Sequence, residues 1–281
     1  MQTVSEIRPS SIAGTWYEGH PKHLAESVDS YIQRAKIEKI EGKVIGLVVP
    51  HAGHRYSGPV AGYAFAAARG LSPSLVAVIA PMHHPYPAPI ITSAHNFYFT
   101  PLGNIPVARP LLNDLSALLE QRLGYGLTAM PNDPEHALEI ELPFLQRTLE
   151  NPFDLIPLML RQQDPHTARV LGETLAEILR GQDCLLVAST DLSHFYSQAA
   201  AETLDAAMLN ATKSFEPEAL YEVERKAKGE ACGLGALAAT LWAAKALGAD
   251  TVKILNYATS GNVSGDYERV VGYGAGVILQ A

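Results

Sequence analysis

Residues 43–54 read KVIGLVVPHAGH, and this stretch decides the fold. The apolar, β-branched run from Val44 to Val49 has the length and composition of a buried strand, and Pro50 and His51 follow it directly. Further runs of the same kind recur along the chain. They are Leu75 to Ala80, Leu155 to Leu160, Leu185 to Ala188, Val252 to Tyr257 and Val270 to Leu279.

Segments with helical periodicity lie between these runs. They cover residues 22–37, 59–69, 107–123, 134–149, 166–180, 198–212, 217–227 and 232–247. The alternation predicts an α/β fold in which a central, largely parallel or mixed β-sheet is flanked by helices on both faces. Because no linker, repeat or shift in composition divides the chain, we expect a single domain over residues 1–281.

Two helix boundaries carry their own sequence signals. Asp133 followed by Pro134 predicts an N-cap and a proline in the first helical position. Gly181 after Arg180 predicts a glycine just beyond the end of a helix.

The net charge of the chain argues against some classes of binding partner. The formal net charge is −8 and no basic stripe is present, which argues against nucleic-acid and anionic-membrane binding. No apolar stretch approaches the roughly 20 residues needed to span a bilayer, and residues 1–11 lack the apolar core of a signal peptide. We therefore expect a cytoplasmic protein.

Histidines follow several of the predicted strands. His51 comes after the first strand, His83 after Leu75 to Ala80, and His194 after Leu185 to Ala188. Each one alone could be a loop or capping residue. Parallel strands end at the same edge of a sheet, however, and open α/β sheets bind ligands there. The repeated pattern favours imidazoles that converge on one metal ion.

Cys232 precedes an Ala- and Leu-rich helix, where the helix dipole is expected to lower the pKa of its thiol and prepare it as a ligand. The alternative is a small residue chosen for tight helix entry beside Gly233. The neighbouring histidine pattern favours the ligand interpretation. Cys184, within an apolar run, is expected to be an inert buried thiol, and a disulfide between the two cysteines would be unusual in the cytosol.

The segment Asp133 to Pro143 carries Glu135 and Glu139 one helical turn apart, with His136 beside them. These residues could orient a substrate or a metal ligand. Acidic residues in a first helical turn also stabilise the helix dipole and need no other purpose. The sequence leaves both interpretations open.

In these residues the chain resembles the Memo family, which is similar in fold to the class III extradiol ring-cleaving dioxygenases. The resemblance covers nearly the whole chain. The motifs that carry it are Ile12 to Tyr17, Pro50 to Gly53, His83-His84, Glu135-His136, Asp191 to His194, Ala231 to Gly233, Asn256 to Gly261 and Ser264 to Tyr267.

The resemblance implies a site for one metal ion formed by His51, His83 and Cys232. It also implies that His194 acts as an acid or base held by its neighbourhood, including Asp191, and that His136 lies beside the pocket. Ferrous iron is the first expectation by analogy with the related dioxygenases. A thiolate in place of a carboxylate makes copper or zinc an alternative.

The chain also departs from the family pattern. His54 stands where Tyr is more common, and Ala137 where Ser is usual. Leu234 and Ala236 occupy positions at which Arg and Pro commonly follow the cysteine. The missing cation weakens any inference of anionic-substrate or phosphopeptide binding, whereas His54 could add a ligand or a donor at the mouth of the pocket.

The leading functional hypothesis is a non-haem iron, dioxygenase-like oxidoreductase that acts on a small substrate. The first alternative is a copper- or iron-binding protein for redox control without turnover. The second is a peptide-binding adaptor with a vestigial metal site. The resemblance further implies partners among AMMECR-type and radical-SAM proteins of the same system.

Overall fold

A computed structural model describes residues 5–281 of the chain. The strands are β1 (Ile7–Arg8), β2 (Lys43–Val49), β3 (Leu75–Pro81), β4 (Ile90–Ser93), β5 (Phe97–Thr100), β6 (Gly103–Pro106), β7 (Thr128–Met130), β8 (Asp154–Leu160), β9 (Cys184–Ser189), β10 (His194–Tyr196), β11 (Thr251–Thr259) and β12 (Val270–Gln280). The helices are α1 (Pro21–Arg34), α2 (His54–Ala67), α3 (Arg109–Leu123), α4 (His136–Glu139), α5 (Leu142–Thr148), α6 (Pro165–Leu179), α7 (Gln198–Lys213), α8 (Pro217–Arg225), α9 (Leu234–Ala246) and α10 (Gly261–Ser264).

Most of the described strands form one mixed sheet in the order β10-β12-β2-β9-β3-β8-β4-β7, and β11 pairs with β12 on the side away from β2. The four central strands β2, β9, β3 and β8 are parallel. Strand β12 is antiparallel to β2, and β4 is antiparallel to β8. A small second sheet has the order β1-β5-β6.

Helices cover both faces of the main sheet. Helix α2 packs on β2, β11 and β12 and is joined there by α1 and α5, whereas α9 packs on β2, β3 and β9 beside α6 and α8. Helix α1 buries Leu24, Val28 and Ile32, which recur every four residues and form one apolar face. Every residue from Leu234 to Ala244 of α9 is buried, because this helix lies between the sheet and a second layer of helix. The predicted α/β fold with helices on both faces of a mixed sheet is confirmed.

The six strands predicted from apolar runs are all present, and Gly181 adopts the left-handed conformation (φ 80°) predicted after α6. The predicted helix over 134–149 is divided into α4 and α5, and Pro143 lies in the first turn of the second. The predicted helix over 59–69 begins earlier, at His54, and continues through Pro59. Among the described residues, no helix is long and apolar enough to cross a membrane.

The predicted capping role of Asp133 is wrong. Helix α4 begins at His136, and the side chain of Glu135 caps it by accepting a hydrogen bond from the amide of Ala137 at 2.9 Å. Asp133 instead accepts a hydrogen bond from the fully buried Arg8 at 2.9 Å. Arg8 on strand β1 thus pairs with Asp133, the carboxylate that the sequence pattern assigned to the N-terminus of a helix.

Candidate metal centre

The carboxyl ends of three parallel strands meet at one edge of the sheet. Val49 at the end of β2 pairs with Ser189 at the end of β9, and Ile79 in β3 pairs with Ala188. His51, His83 and Asp191 follow these strands within two residues. The strand ends therefore lie side by side, as their parallel arrangement requires.

The structure brings together the imidazoles of His51, His83 and His136, whose candidate ligand atoms all lie within 4.8 Å of one another. His51 is buried, and the side chain of His83 is 34% exposed. His136 comes from the start of α4, and its ring stacks on that of His83 with a centroid separation of 4.7 Å. This histidine belongs to the cluster itself, whereas the sequence placed it beside the pocket.

A serine fixes the proton on His51. The Ser189 hydroxyl lies 2.9 Å from His51 Nδ1 and donates its own proton to the carbonyl oxygen of Ala137 at 2.6 Å. Because a hydroxyl has only one proton to donate, His51 must donate from Nδ1 to Ser189. Nε2 of His51 then keeps a free lone pair directed at the cluster. Burial also lowers the pKa of His51 well below its ordinary value, and the neighbouring His83 and His136 add to this effect.

Glu135 orients the other two imidazoles. Its carboxylate accepts hydrogen bonds from the backbone amide of His83 at 2.6 Å and from His83 Nδ1 at 2.9 Å, and its Oε1 lies 3.1 Å from His136 Nδ1. Burial opposes ionisation of Glu135, but the hydrogen bonds from His83 and the Ala137 amide lower its pKa to about 2. Burial lowers the pKa of His136 to about 4 even though Glu135 acts in the opposite direction. At neutral pH the contact between His136 and Glu135 is therefore one between a neutral imidazole and a carboxylate.

Cys232 lies beside the Nε2 atom of His51. Its Sγ is 3.0 Å from His51 Nε2 and accepts a hydrogen bond from the Asp191 amide at 3.3 Å. The predicted lowering of its thiol pKa is not found, because Cys232 precedes the helix by two residues and is buried: burial and the Asp191 carboxylate raise the pKa. A bound cation reverses this effect, since a coordinating thiol loses its proton outright.

Gly233 allows the cysteine loop to approach the strand ends closely. A Cβ atom at position 233 would lie 2.5 Å from the carbonyl oxygen of Ser189, and the Gly233 amide donates to Thr190 Oγ1 at 3.0 Å. Only glycine leaves room for this approach. The loop in turn holds Cys232 against His51.

Asp191 supports His51 and the cysteine loop. Its Oδ1 accepts a hydrogen bond from the His51 amide at 2.7 Å, and its carbonyl oxygen accepts one from the Cys232 amide at 3.2 Å. Burial raises the pKa of Asp191 to about 7. Within residues 5–281 no hydrogen bond joins Asp191 to His194, so the expected support of His194 by this carboxylate is replaced by other contacts.

His194 is held by the backbone. Its Nδ1 lies 2.8 Å from the Leu192 carbonyl oxygen, and its amide donates to Glu230 Oε1 at 2.9 Å. A carbonyl can only accept, so Nδ1 carries the proton and Nε2 is free. Burial lowers the pKa of His194, and the ring is near enough to His51 and His83 for their charges to interact. The next residue, Phe195, has a φ of 66°, which is strained for an aromatic residue and is typical of functional sites.

The residues that depart from the family pattern lie outside the cluster. His54 is buried, with Nε2 2.9 Å from the Ile140 carbonyl oxygen and its ring 4.8 Å from that of Phe144. It is therefore not one of the clustered imidazoles. Leu234 and Ala236 are buried in α9, and Ala137 is buried at the start of α4. Its carbonyl accepts the Ser189 proton, a backbone contact that does not depend on the missing Ser side chain.

The donor set fits a metal ion. Each ring nitrogen that faces away from the cluster is held by Ser189 or Glu135, which is the outer hydrogen bonding that metal-binding histidines usually have. The donor set that the structure brings together is His51, His83 and His136. Cys232 Sγ lies 3.0 Å from His51 Nε2 alone, so the expected set of His51, His83 and Cys232 stays a prediction.

Sequence reasoning missed two features of the site. Ser189 directly follows an apolar strand run, and that position was the available signal for its role. Trp16, which is 39% exposed, lies over His136 with ring centroids 4.3 Å apart. The motif Ile12 to Tyr17 includes Trp16, but its distance in sequence from the strand ends gave no reason to place it beside His136.

Comparison with known proteins identifies the family of the chain. The family model described as Memo-like protein matches residues 8–277. The chain is 33% identical to a MEMO1 family protein of Nitrosopumilus maritimus over 96% of this chain and 98% of the relative. It is 35% identical to a MEMO1 family protein of Thermotoga neapolitana, over 95% and 98% of the two chains. The chain belongs to the Memo family.

Proposed function

We propose that this protein is a metal-dependent, dioxygenase-like oxidoreductase that acts on a small substrate. The observation that carries the proposal is the cluster of three imidazoles, each of which has its Nδ1 beside Ser189 or Glu135. Holding the imidazoles in fixed orientations reduces their conformational entropy, and binding of a cation offsets this cost. We propose ferrous iron as the ion, with copper or zinc as the alternatives.

A ferrous ion bound by such side chains would supply open coordination positions for oxygen and substrate. The chain supplies the surroundings. His51 and His136 stay neutral at physiological pH because burial lowers their pKa values, so they remain competent as ligands. Glu135 stays ionised and adds a negative charge beside the cluster, which favours a cation there.

His194 is the candidate base. Its Nδ1 donates to the Leu192 carbonyl, so the proton that it accepts from a substrate hydroxyl goes to Nε2. Glu230, which accepts from the His194 amide, stabilises the imidazolium that results. We therefore propose that His194 removes a proton from a bound hydroxyl substrate.

Exposed aromatic side chains accompany the cluster. Trp16 packs against His136 with the two rings inclined by 44°. Phe195, which is 62% exposed, packs edge-on against His194 with ring centroids 5.7 Å apart. Exposed rings beside polar catalytic groups are typical of binding sites for flat apolar molecules. Aromatic diols are accordingly the first substrate class that we propose to test.

The test is oxygen uptake by the iron-loaded protein with a panel of catechols, comparing wild type with His194→Gln and with His166→Ala. His166 lies exposed at the start of α6 and serves as the control. We expect uptake in wild type and the control, and a fall in kcat of about 100-fold or more in His194→Gln. Iron-loaded protein that consumes no oxygen with any member of the panel would contradict ring cleavage.

A second function is favoured by Cys232. Its sulfur lies 3.0 Å from His51 Nε2, and a thiolate with imidazoles suits copper(I). Under this alternative the protein binds copper and controls its redox state without turnover. Copper(I) held tightly in air, with binding weakened by Cys232→Ser more than by His136→Ala, would favour it over the oxygenase proposal.

On the family resemblance we also propose that the protein works with AMMECR-type and radical-SAM proteins of its own system. Purification of the tagged chain from its native host under anaerobic conditions would test this. Recovery of either partner supports the proposal, and its failure to co-purify after crosslinking contradicts it.

A further inference from the structure

Strand β11 is the outermost strand on one side of the main sheet. It pairs along its whole length with β12, and β12 is bonded on its other side to β2. In the described part of the chain, no other backbone segment hydrogen-bonds to the free edge of β11. Alternate amides and carbonyls along residues 251–259 are therefore open to another strand.

A groove with a cavity volume of about 430 Å³ runs beside this free edge. The groove is lined by the segment that follows α1, by the end of α7 and by the start of β11. Both helical layers therefore meet at the groove. Partly buried apolar side chains such as Ile40 and Ile254 form part of the lining. The groove thus offers open backbone groups and apolar contacts together.

Lysines concentrate around the groove. Lys36, Lys39, Lys213 and Lys253 line it, which is four of the nine lysines in a chain of net charge −8. All four are exposed, and among residues 5–281 none of them forms an ion pair with a carboxylate. Glu38 is the one acidic side chain that lines the same groove.

We infer that β11 is a docking site for an extended, acidic segment of a partner protein, which adds to the sheet as a further strand. Strand addition takes its affinity from backbone hydrogen bonds and its specificity from the side chains around the edge. The lysines select negative charge and accelerate the encounter. They also oppose pairing with a second copy of this chain, because two such edges would bring like charges together.

A fluorescein-labelled peptide of alternating Val and Glu, nine residues long to match β11, is the probe. Its binding is measured by fluorescence anisotropy at about 50 mM and about 500 mM salt, which screens exposed charges to different degrees. We expect binding at low salt that weakens at high salt, and none to a Val and Lys peptide. Absence of binding to the Val and Glu peptide at low salt would overturn the inference.

Two matched double variants distinguish binding at the groove from a general effect of net charge on binding. Lys39→Glu with Lys253→Glu should weaken binding about tenfold or more, whereas Lys22→Glu with Lys228→Glu, which changes the net charge equally outside the groove, should have little effect. Equal weakening by both pairs would contradict a local site. Circular dichroism of both double variants checks that the fold is retained.

Hydrogen exchange identifies the mode of binding. Added strand pairing should slow exchange of β11 amides in residues 251–259. Peptide binding without such protection would overturn strand addition. A dimer of the unliganded protein in sedimentation experiments, with these amides already protected, would assign the edge to a second copy instead.

Discussion

Replacing Glu135 with glutamine tests the orientation of the imidazole cluster. Glutamine keeps the size of the side chain but has one acceptor oxygen where the carboxylate has two. Oε2 accepts from the His83 amide, whereas Oε1 accepts from His83 Nδ1 and the Ala137 amide. Whichever way the amide is turned, its NH₂ group faces a donor that it cannot pair with.

The structure gives two magnitudes for Glu135→Gln. Loss of an outer hydrogen-bond partner of a metal ligand reduces metal affinity about 10- to 100-fold, which is about 1.4 to 2.8 kcal/mol. In metal-free protein, the fall of the Glu135 pKa from 4.5 to about 2 corresponds to about 3 kcal/mol of folding stability at neutral pH. Because the folded-state pKa is lowered, this contribution is present above pH 4.5 and is lost as the pH falls towards 2.

Two assays measure these effects. Chelator competition gives the metal affinity, and urea unfolding of the metal-free protein between pH 7 and pH 2 gives the stability. Glu173→Gln is the control, because Glu173 forms an exposed ion pair with Arg169 that contributes less than about 1 kcal/mol. Metal affinity of Glu135→Gln within twofold of wild type, or a stability difference that does not shrink at acid pH, would refute this reasoning.

Two further substitutions test the supports of the site. Arg8→Met leaves the buried Asp133 and Glu139 without their cation and should destabilise the fold by about 3 to 5 kcal/mol in urea unfolding; a loss below 1 kcal/mol would show that the pair is unimportant. Gly233→Ala places a Cβ 2.5 Å from the Ser189 carbonyl oxygen. This substitution should lower the free energy of unfolding by about 1 to 3 kcal/mol and should also lower metal affinity. Unchanged melting temperature and metal content would contradict the close approach of the cysteine loop to the strand ends.

The part of the fold predicted from sequence is the part with strong local signals. The four parallel central strands are continuous apolar runs, and the antiparallel strands β11 and β12 were also predicted from their apolar, β-branched residues. Short strands such as β4 and β7 carry no such run and depend on pairing with each other and with β8. The division of the helix over 134–149 also depends on tertiary contacts, because Glu135 is drawn into hydrogen bonds with His83.

For the site, the positions of His51 and His83 were predictable because both directly follow strands that end at one edge. The place of His136 in the cluster was not predictable, because His136 comes from a short helix whose position depends on Glu135 and the distant Ser189. The Leu192 carbonyl that accepts from His194 lies within the Asp191 to His194 motif, whereas Glu230 comes from a distant loop that the motif does not include.

The central claim is that these side chains hold a metal ion, and elemental analysis of protein purified without oxygen tests it most directly. We expect about one equivalent of metal in wild type and in the His166→Ala control, and its loss in His51→Ala, since His51 belongs to the imidazole cluster and is also the histidine that Cys232 contacts. Comparison of His136→Ala with Cys232→Ala then shows which side chain completes the set. Metal that is retained by His51→Ala, or absent from wild type after loading with iron, copper and zinc, would contradict the account.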